Sequence, residues 1–246
     1  MAKHVIVNNE EHKDIKIITK RSAELGDNIW YAQTFPQEFR AVQAHYPIFF
    51  SKNPETGQFL PVALFGFKHQ ENLFLDDQGW HASYIPAAVM RQPFLIAQQT
   101  ITENGEEKQQ RMLSMDMDNP RVSTEEGEPL FLPYGGNSEF LDKVANMLEA
   151  LHFGVSDGTQ FCQALSDMEL LEPFTLDVQL QTGEKHQMIG FYTINEDKLA
   201  ALSNEQLERL HKDNYLQAIY MALASQSNVR TLLNKKNTLE AAAQPA

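Results

Sequence analysis

Cysteine is almost absent from this chain: Cys162 stands alone among 246 residues. A lone cysteine excludes an intramolecular disulfide and any zinc site built on thiolates. With Phe161, Ala164 and Leu165 beside it, it reads as a small buried hydrophobe. Positive charge is also scarce. Twenty Lys and Arg against 33 Asp and Glu leave a net charge of −13, which opposes binding to a phosphate backbone or an anionic membrane. Nucleic acid is therefore not an expected partner, and the acidity reads as a solubility feature. No run approaches the roughly 20 apolar residues of a membrane span. The opening "MAKHVIVNNEEHKD" lacks the apolar core of a secretory signal, so the expected location is the cytoplasm.

Cofactor signatures are missing too. No Walker A, G-x-G-x-x-G or H-E-x-x-H pattern occurs, and the eight histidines never stand at ligand spacing with a carboxylate. Neither a metal nor a cofactor is expected. Internal repeats and low-complexity tracts are also lacking.

What is present suits one α+β domain over residues 1–246, with a β-rich lobe at 1–133 and a mainly helical lobe at 134–246. Hydrophobic residues make up 42% of the chain, enough to bury roughly 70–75% of its unfolded surface. Val5 to Val7 and Ile15 to Thr19 are β-branched runs, separated by a polar loop, that could pair with each other. Pro36 opens a short helix that Pro47 stops. "IFFSKNPETGQFLPVALFGF" reads as strand, turn, strand. Two further strands, Phe94 to Ile101 and Arg111 to Met117, flank an Asn104-Gly105 turn.

The Gly- and Pro-rich "EEGEPLFLPYGGN" marks a connector, after which the period becomes 3.6. Phe140, Leu141, Val144, Met147, Leu148 and Leu151 form one helical stripe, capped by Asn137 or Ser138 and ended by Gly154. Phe161, Leu165, Met168 and Leu171 predict a second helix stopped by Pro173. A hairpin follows, turning at Thr182-Gly183. Ser203 with Gln206 has capping-box spacing, and a last helix is expected from about Asn214 to Leu233, with a frayed end beyond.

Three stretches invite a functional reading. "GVSDG", Gly154 to Gly158, fits the G-x-S-x-G nucleophile elbow, with Asp177 and His211 following in hydrolase order. That elbow needs a preceding strand, whereas a helix precedes here, so an interhelical loop capped by Ser156 or Asp157 is favoured. Tyr134-Gly135-Gly136 precedes a helix, but Glu139 and Asp142 in its first turns would repel an anion. In "NLFLDDQGWHASYIP", Leu73 to Leu75 and Trp80 to Ile85 read as hairpin strands around an Asp76-Asp77-Gln78-Gly79 turn. Alternation puts Trp80, Ala82 and Tyr84 on one face and His81 and Ser83 on the other. The two aspartates are explained by the turn, so no catalytic cluster is read there. Arg91 and Asp116 then suit either a structural ion pair, which is favoured, or recognition of a carboxylate ligand.

Read together, "HYPIFF", "LFGFKHQENLFLDDQGWHASYIPAAVMRQPF", "MDMD", "GEPLF", "LLEPFTL", "GFYTINEDKLAAL" and "YLQAIYMALASQSNVRTLL" resemble the bacterial SapC family, in family order, from about Tyr46 to Leu233. Asn195 stands where the family usually has Asp, and His69-Gln70-Glu71 replaces a more basic, Gly-containing approach to Asn72. The resemblance implies no agreed catalytic residues. It implies service to a peptide, nutrient-uptake or surface-associated pathway, beside flavin-dependent halogenase-like proteins and TonB-dependent receptors. The first expectation is accordingly a non-enzymatic binding or accessory protein for a peptide, protein or small ligand. Its candidate contacts are Trp80, Tyr84, Arg91 and Asp116. The alternatives are an enzyme, most concretely a serine hydrolase using Ser156, and a surface-layer component, which would require export.

Overall fold

The computed structural model describes residues 3–103, 106–181 and 183–243 of an α+β protein. Two compact units divide the chain, Met1–Asp27 with Ala87–Phe153 and Asn28–Pro86 with Gly154–Ala246. The first unit opens with β1 (His4–Ile6) and β2 (Lys16–Ile17). The second follows with β3 (Tyr31–Gln33), α1 (Phe39–Val42), β4 (Ile48–Lys52), β5 (Phe59–Leu64), β6 (Leu75–Asp76) and β7 (Gly79–Trp80). The chain returns to the first unit for α2 (Ala87–Met90), β8 (Phe94–Glu103), β9 (Glu106–Asp116), β10 (Val122–Ser123) and β11 (Glu128–Pro129). Helix α3 (Glu139–Asp167) begins in the first unit and ends in the second. β12 (Leu171–Gln179), β13 (Lys185–Ile194), α4 (Glu196–Ala200), α5 (Asn204–Lys212), α6 (Tyr215–Ser225) and α7 (Asn228–Ala243) complete it. The expected turn at Asn104-Gly105 and Thr182 of the second turn lie outside the described residues.

In the first unit the expected β1–β2 pairing does not form. β1 adds to β9 in the order β1-β9-β8, and β2 pairs with β10 and β11. The segment between β1 and β2 is a turn closed on itself. Asn8 Oδ1 accepts from the N–H groups of Glu10 and Glu11, and the Asn8 N–H donates to His12 Nδ1 at 3.1 Å. Ser138 supplies the α3 cap, accepting from the Leu141 N–H at 3.1 Å. The predicted stripe of α3 then buries Leu141, Val144 and Leu148 with Ile17, Phe94, Met115 and Leu130.

One charged cluster is sealed into this unit. Arg121 is 1% exposed and Asp27 0%. Arg121 Nη2 donates to Asp27 Oδ2 at 2.6 Å while Nη1 donates to the carbonyls of Ile18 and Lys20. Arg21 Nη1 meets the other carboxylate oxygen at 3.1 Å. Burial draws the Arg21 guanidinium below its ordinary value despite Asp27.

In the second unit the strand order is β12-β13-β4-β5-β3, antiparallel throughout. Ile48, Phe49 and Phe50 are all buried in succession, as are Val62, Ala63 and Leu64. Consecutive rather than alternating burial marks strands covered on both faces. Pro173, expected to stop a helix, instead lies in β12, the edge strand, where its missing N–H costs no central ladder bond.

The two helices expected on either side of Gly154 are a single 29-residue helix, α3. A Cβ at Gly154 would lie 2.4 Å from the Phe35 ring, so this glycine permits a close approach rather than ending the helix. The expected last helix is, conversely, broken into α6 and α7. Ser225 Oγ donates to the Ala222 carbonyl and accepts from the Ile48 N–H at 2.8 Å, tying the end of α6 to β4. The segment expected to fray continues α7 to Ala243. The capping box forms: the Gln206 N–H donates to Ser203 Oγ and the Ser203 N–H to Gln206 Oε1.

Cys162 is 2% exposed, and burial pushes its thiol up to about 12. A thiol reagent at pH 8 should therefore leave the native chain unlabelled and modify it on unfolding in urea. Native labelling at the rate of free cysteine would contradict that burial.

Candidate functional site

The second unit gathers the polar and aromatic side chains of the Asn72–Pro86 stretch. Its hairpin is shorter than expected, pairing Leu75 with Trp80 and Asp76 with Gly79. The return strand ends at Trp80 instead of running to Ile85: His81 still bonds to Asp76 of β6, but Ser83 bonds to His45 and the Tyr84 hydroxyl to Glu38, both beside α1. Gly79 has φ +116, a conformation costly for residues with a Cβ. Asp76 Oδ1 accepts from the Gln78 N–H at 2.8 Å and lies 2.5 Å from His81 Nε2. The hydrogen bond from His81, then that from Gln78, holds the Asp76 carboxyl below its usual range.

Beyond the hairpin runs a chain of hydrogen bonds. The Trp80 indole N–H donates to the Tyr46 hydroxyl at 2.8 Å, which donates to the Tyr84 carbonyl at 2.6 Å. The Tyr84 hydroxyl donates to Glu38 Oε1 at 2.6 Å, and Thr34 Oγ1 to Glu38 Oε2 at 2.7 Å. Tyr46 and Thr34 are fully buried and Glu38 nearly so. Tyr46 also meets Phe65 and Phe74 edge to face, with centroids 5.0 and 4.7 Å away. Thr34 and Glu38 lie in no motif, and Tyr46 is marked only as part of "HYPIFF". Only the fold brings them to Trp80 and Tyr84.

Burial pushes the Tyr46 phenol far above its ordinary value; burial and then the Glu38 hydrogen bond do the same for Tyr84. Both phenols are thus held neutral in the fold and ionise more readily when unfolded. Their contribution is complete below the unfolded tyrosine value of about 10 and declines as pH rises beyond it. Denaturant titrations at neutral pH and above pH 10 should show this loss. Tyr46→Phe should cost about 1–3 kcal/mol at neutral pH, since Trp80 loses its acceptor, and should flatten the alkaline decline. An unchanged alkaline slope would remove Tyr46 as its source.

Leu73, Phe74 and Leu75 also form one wall of a pocket of about 400 Å³, whose other wall is Thr231, Asn234, Lys235, Thr238 and Leu239 of α7. Asp76 and His81 line it as well. The Lys235 ammonium sits 4.9 Å from the centre of the Phe74 ring, within cation–π range. The neighbouring Lys236 anchors α7, reaching Glu71 Oε1 at 2.9 Å and Glu240 Oε1 at 2.8 Å. Burial alone would lower the Lys236 ammonium, but Glu240 and Glu71 outweigh it and hold it above its ordinary value. The α7 contribution had no readable signal beyond helical period, because its residues lie about 150 positions from the hairpin.

Arg91 and Asp116 belong to the first unit, Trp80 and Tyr84 to the second. The favoured Arg91–Asp116 ion pair does not form among the described residues. Arg91 Nη1 donates to the Phe94 carbonyl at 3.0 Å, and Asp116 Oδ1 accepts from the N–H groups of Lys3 and Asp118. The addition of β1 to β9 brings Lys3 to Asp116. Burial lowers the Arg91 guanidinium.

The nucleophile elbow is overturned. Ser156 is exposed within α3, away from any strand-to-helix turn, and the loop it was expected to cap does not exist. Asp177 accepts instead from Gln187 at 2.9 Å. A serine does meet a histidine at Ser83 Oγ and His45 Nε2, 2.7 Å apart. Among the described residues no carboxylate is hydrogen-bonded to that imidazole, and no group of three His, Cys, Asp or Glu could hold a metal.

A SapC family model matches residues 7–232, and the chain belongs to that family. No curated protein and no solved structure matches it. At the departure noted above, Asn195 caps α4 by accepting from the Lys198 N–H at 2.8 Å, a role an aspartate fills equally well. Among the described residues no helix is long and apolar enough to cross a membrane.

Proposed function

We propose that this SapC-family chain is a binding protein rather than an enzyme, taking a small molecule or peptide side chain between the hairpin segment and α7. The observation that carries this reading is the composition of the 400 Å³ pocket. Leu73, Phe74, Leu75 and Leu239 give it an apolar lining, and Asp76, His81, Asn234 and Lys235 supply a few polar groups, the usual make-up of a ligand site. The ligand is then an apolar body with an acceptor or anionic end for Lys235. Trp80 and Tyr84 act as the frame of the hairpin, since their polar atoms are taken up by Tyr46 and Glu38. An accessory role in a peptide, nutrient-uptake or surface-associated pathway rests on family association alone.

Native mass spectrometry of the protein purified gently from its own cells tests this. A retained mass of a few hundred daltons, absent from the denatured protein and lost in Thr238→Trp, is the expected result. A ligand retained equally by Thr238→Trp would place binding elsewhere. Arg91 and Asp116 stand as a separate proposal for ligand contact. If correct, Arg91→Ala should abolish capture while leaving the melting temperature unchanged. A hydrolase reading would rest on Ser83 and His45, and fluorophosphonate labelling that disappears in Ser83→Ala would favour it over binding.

A further inference from the structure

A second cleft, of about 530 Å³, shares no lining residue with the hairpin pocket and lies in the same unit. It is lined by the start of α1, the second half of α3 and the turn between α5 and α6. Three of its side chains carry formal charge: Arg40, Asp157 and Asp213. Arg40 is exposed and has no ion-pair partner among the described residues, and neither does Asp213. Asp157 Oδ2 is held by Gln37 Nε2 at 2.6 Å, a neutral donor that fixes the carboxylate without cancelling its charge.

The turn that delivers Asp213 and Tyr215 depends on Asn214, whose φ of 60° lies in the left-handed region that asparagine tolerates best after glycine. In that conformation Asn214 makes no side-chain cap, so α6 opens onto the cleft with its first N–H groups uncapped by a side chain. Arg40 and this helix start favour a carboxylate, while Asp157 and Asp213 favour cations. Burial first, and then the charges of Asp213 and Asp157, raise the Tyr215 hydroxyl above its ordinary value.

We infer that this cleft binds a free basic α-amino acid, its carboxylate on Arg40 and its two cationic groups on Asp157 and Asp213. The charges match: the three side chains sum to −1 and such a ligand carries +1. A neutral amino acid leaves one aspartate unanswered, and an acidic one is repelled.

Calorimetric titration of the full chain with L-lysine, L-alanine, L-glutamate and cadaverine tests the assignment, cadaverine being lysine without its carboxylate. Saturable lysine binding at least about tenfold tighter than alanine or cadaverine is expected, with no glutamate binding. Arg40→Gln should weaken lysine about tenfold without weakening cadaverine, whereas Asp213→Asn should weaken both. Both residues are solvent-exposed, so melting temperatures near wild type will confirm that the variants fold. No saturable lysine binding, or binding indifferent to both substitutions, would overturn the inference. Retention of lysine binding in Thr238→Trp would separate this cleft from the hairpin pocket.

Discussion

Asp27→Asn should destabilise the chain by about 3–5 kcal/mol, the largest loss expected from any single polar substitution here. Asp27 is fully buried and faces two guanidiniums, Arg121 Nη2 at 2.6 Å and Arg21 Nη1 at 3.1 Å. It also accepts from the Ser22 N–H at 3.0 Å, which fixes the turn it stands on. Removing its charge leaves two cations facing each other, and water cannot solvate Arg121. Arg121 has little reserve, since its Nε already lacks a hydrogen-bond partner among the described residues. Urea titration of the single variants Asp27→Asn and Arg121→Met, and of the double variant, measures the effect. The double variant should be less destabilised than the sum of the singles, because the charge stranded by Asp27→Asn is partly removed with Arg121. Strict additivity would show that the two side chains act independently. Arg21, less completely buried, should matter less.

Gly154→Ala and Gly158→Ala should have opposite signs although both glycines lie within the same helix. At Gly154 a Cβ would come 2.4 Å from Phe35 Cδ2 and 2.7 Å from Cγ, so the whole buried ring must move. Overpacking of that kind costs about 1–3 kcal/mol. At Gly158 the nearest atom is Phe35 Cβ at 3.6 Å, ordinary contact distance. Alanine there should stabilise by about 0.5–1 kcal/mol through helix propensity and a less flexible unfolded chain. Thermal melts of the two variants decide it. Combining Gly154→Ala with Phe35→Ala supplies the control: the double variant should be more stable than additivity predicts, since the clash disappears with the ring. Equal destabilisation by both alanines would mean that the glycines serve something other than this contact.

The contrast between these glycines shows where sequence reading stopped. "GVSDG" suits a nucleophile elbow or an interhelical loop by its letters, and in the structure it is the interior of a helix. The deciding fact was an aromatic ring more than 100 residues away. Pro173 behaved likewise, since proline ends a helix and also tolerates an edge strand, and only the strand order of the sheet distinguishes the two. The hairpin tip at Asp76 and Gly79, the Ser138 cap and the Ser203–Gln206 box were legible because each is settled within a few residues by local hydrogen bonds. The Tyr46–Tyr84–Glu38 chain and the Lys236–Glu71 anchor were not, for their members are brought together by long-range packing.

Local chemistry therefore determined the α+β class, the main strands and helical stripes, most turns and the burial of Cys162, since period, capping and turn propensity act over a handful of residues. Family membership was legible for another reason, because blocks of sequence in a fixed order survive without any account of their contacts. Tertiary structure alone decided that β1 joins β9, that α3 runs unbroken past Ser156, and that Asp27, Arg121 and Arg21 form one sealed cluster. It also decided which side chains line the two pockets. Each of those outcomes depends on side chains far apart in the chain competing for the same buried space or the same hydrogen-bond partner, and no local pattern records the winner.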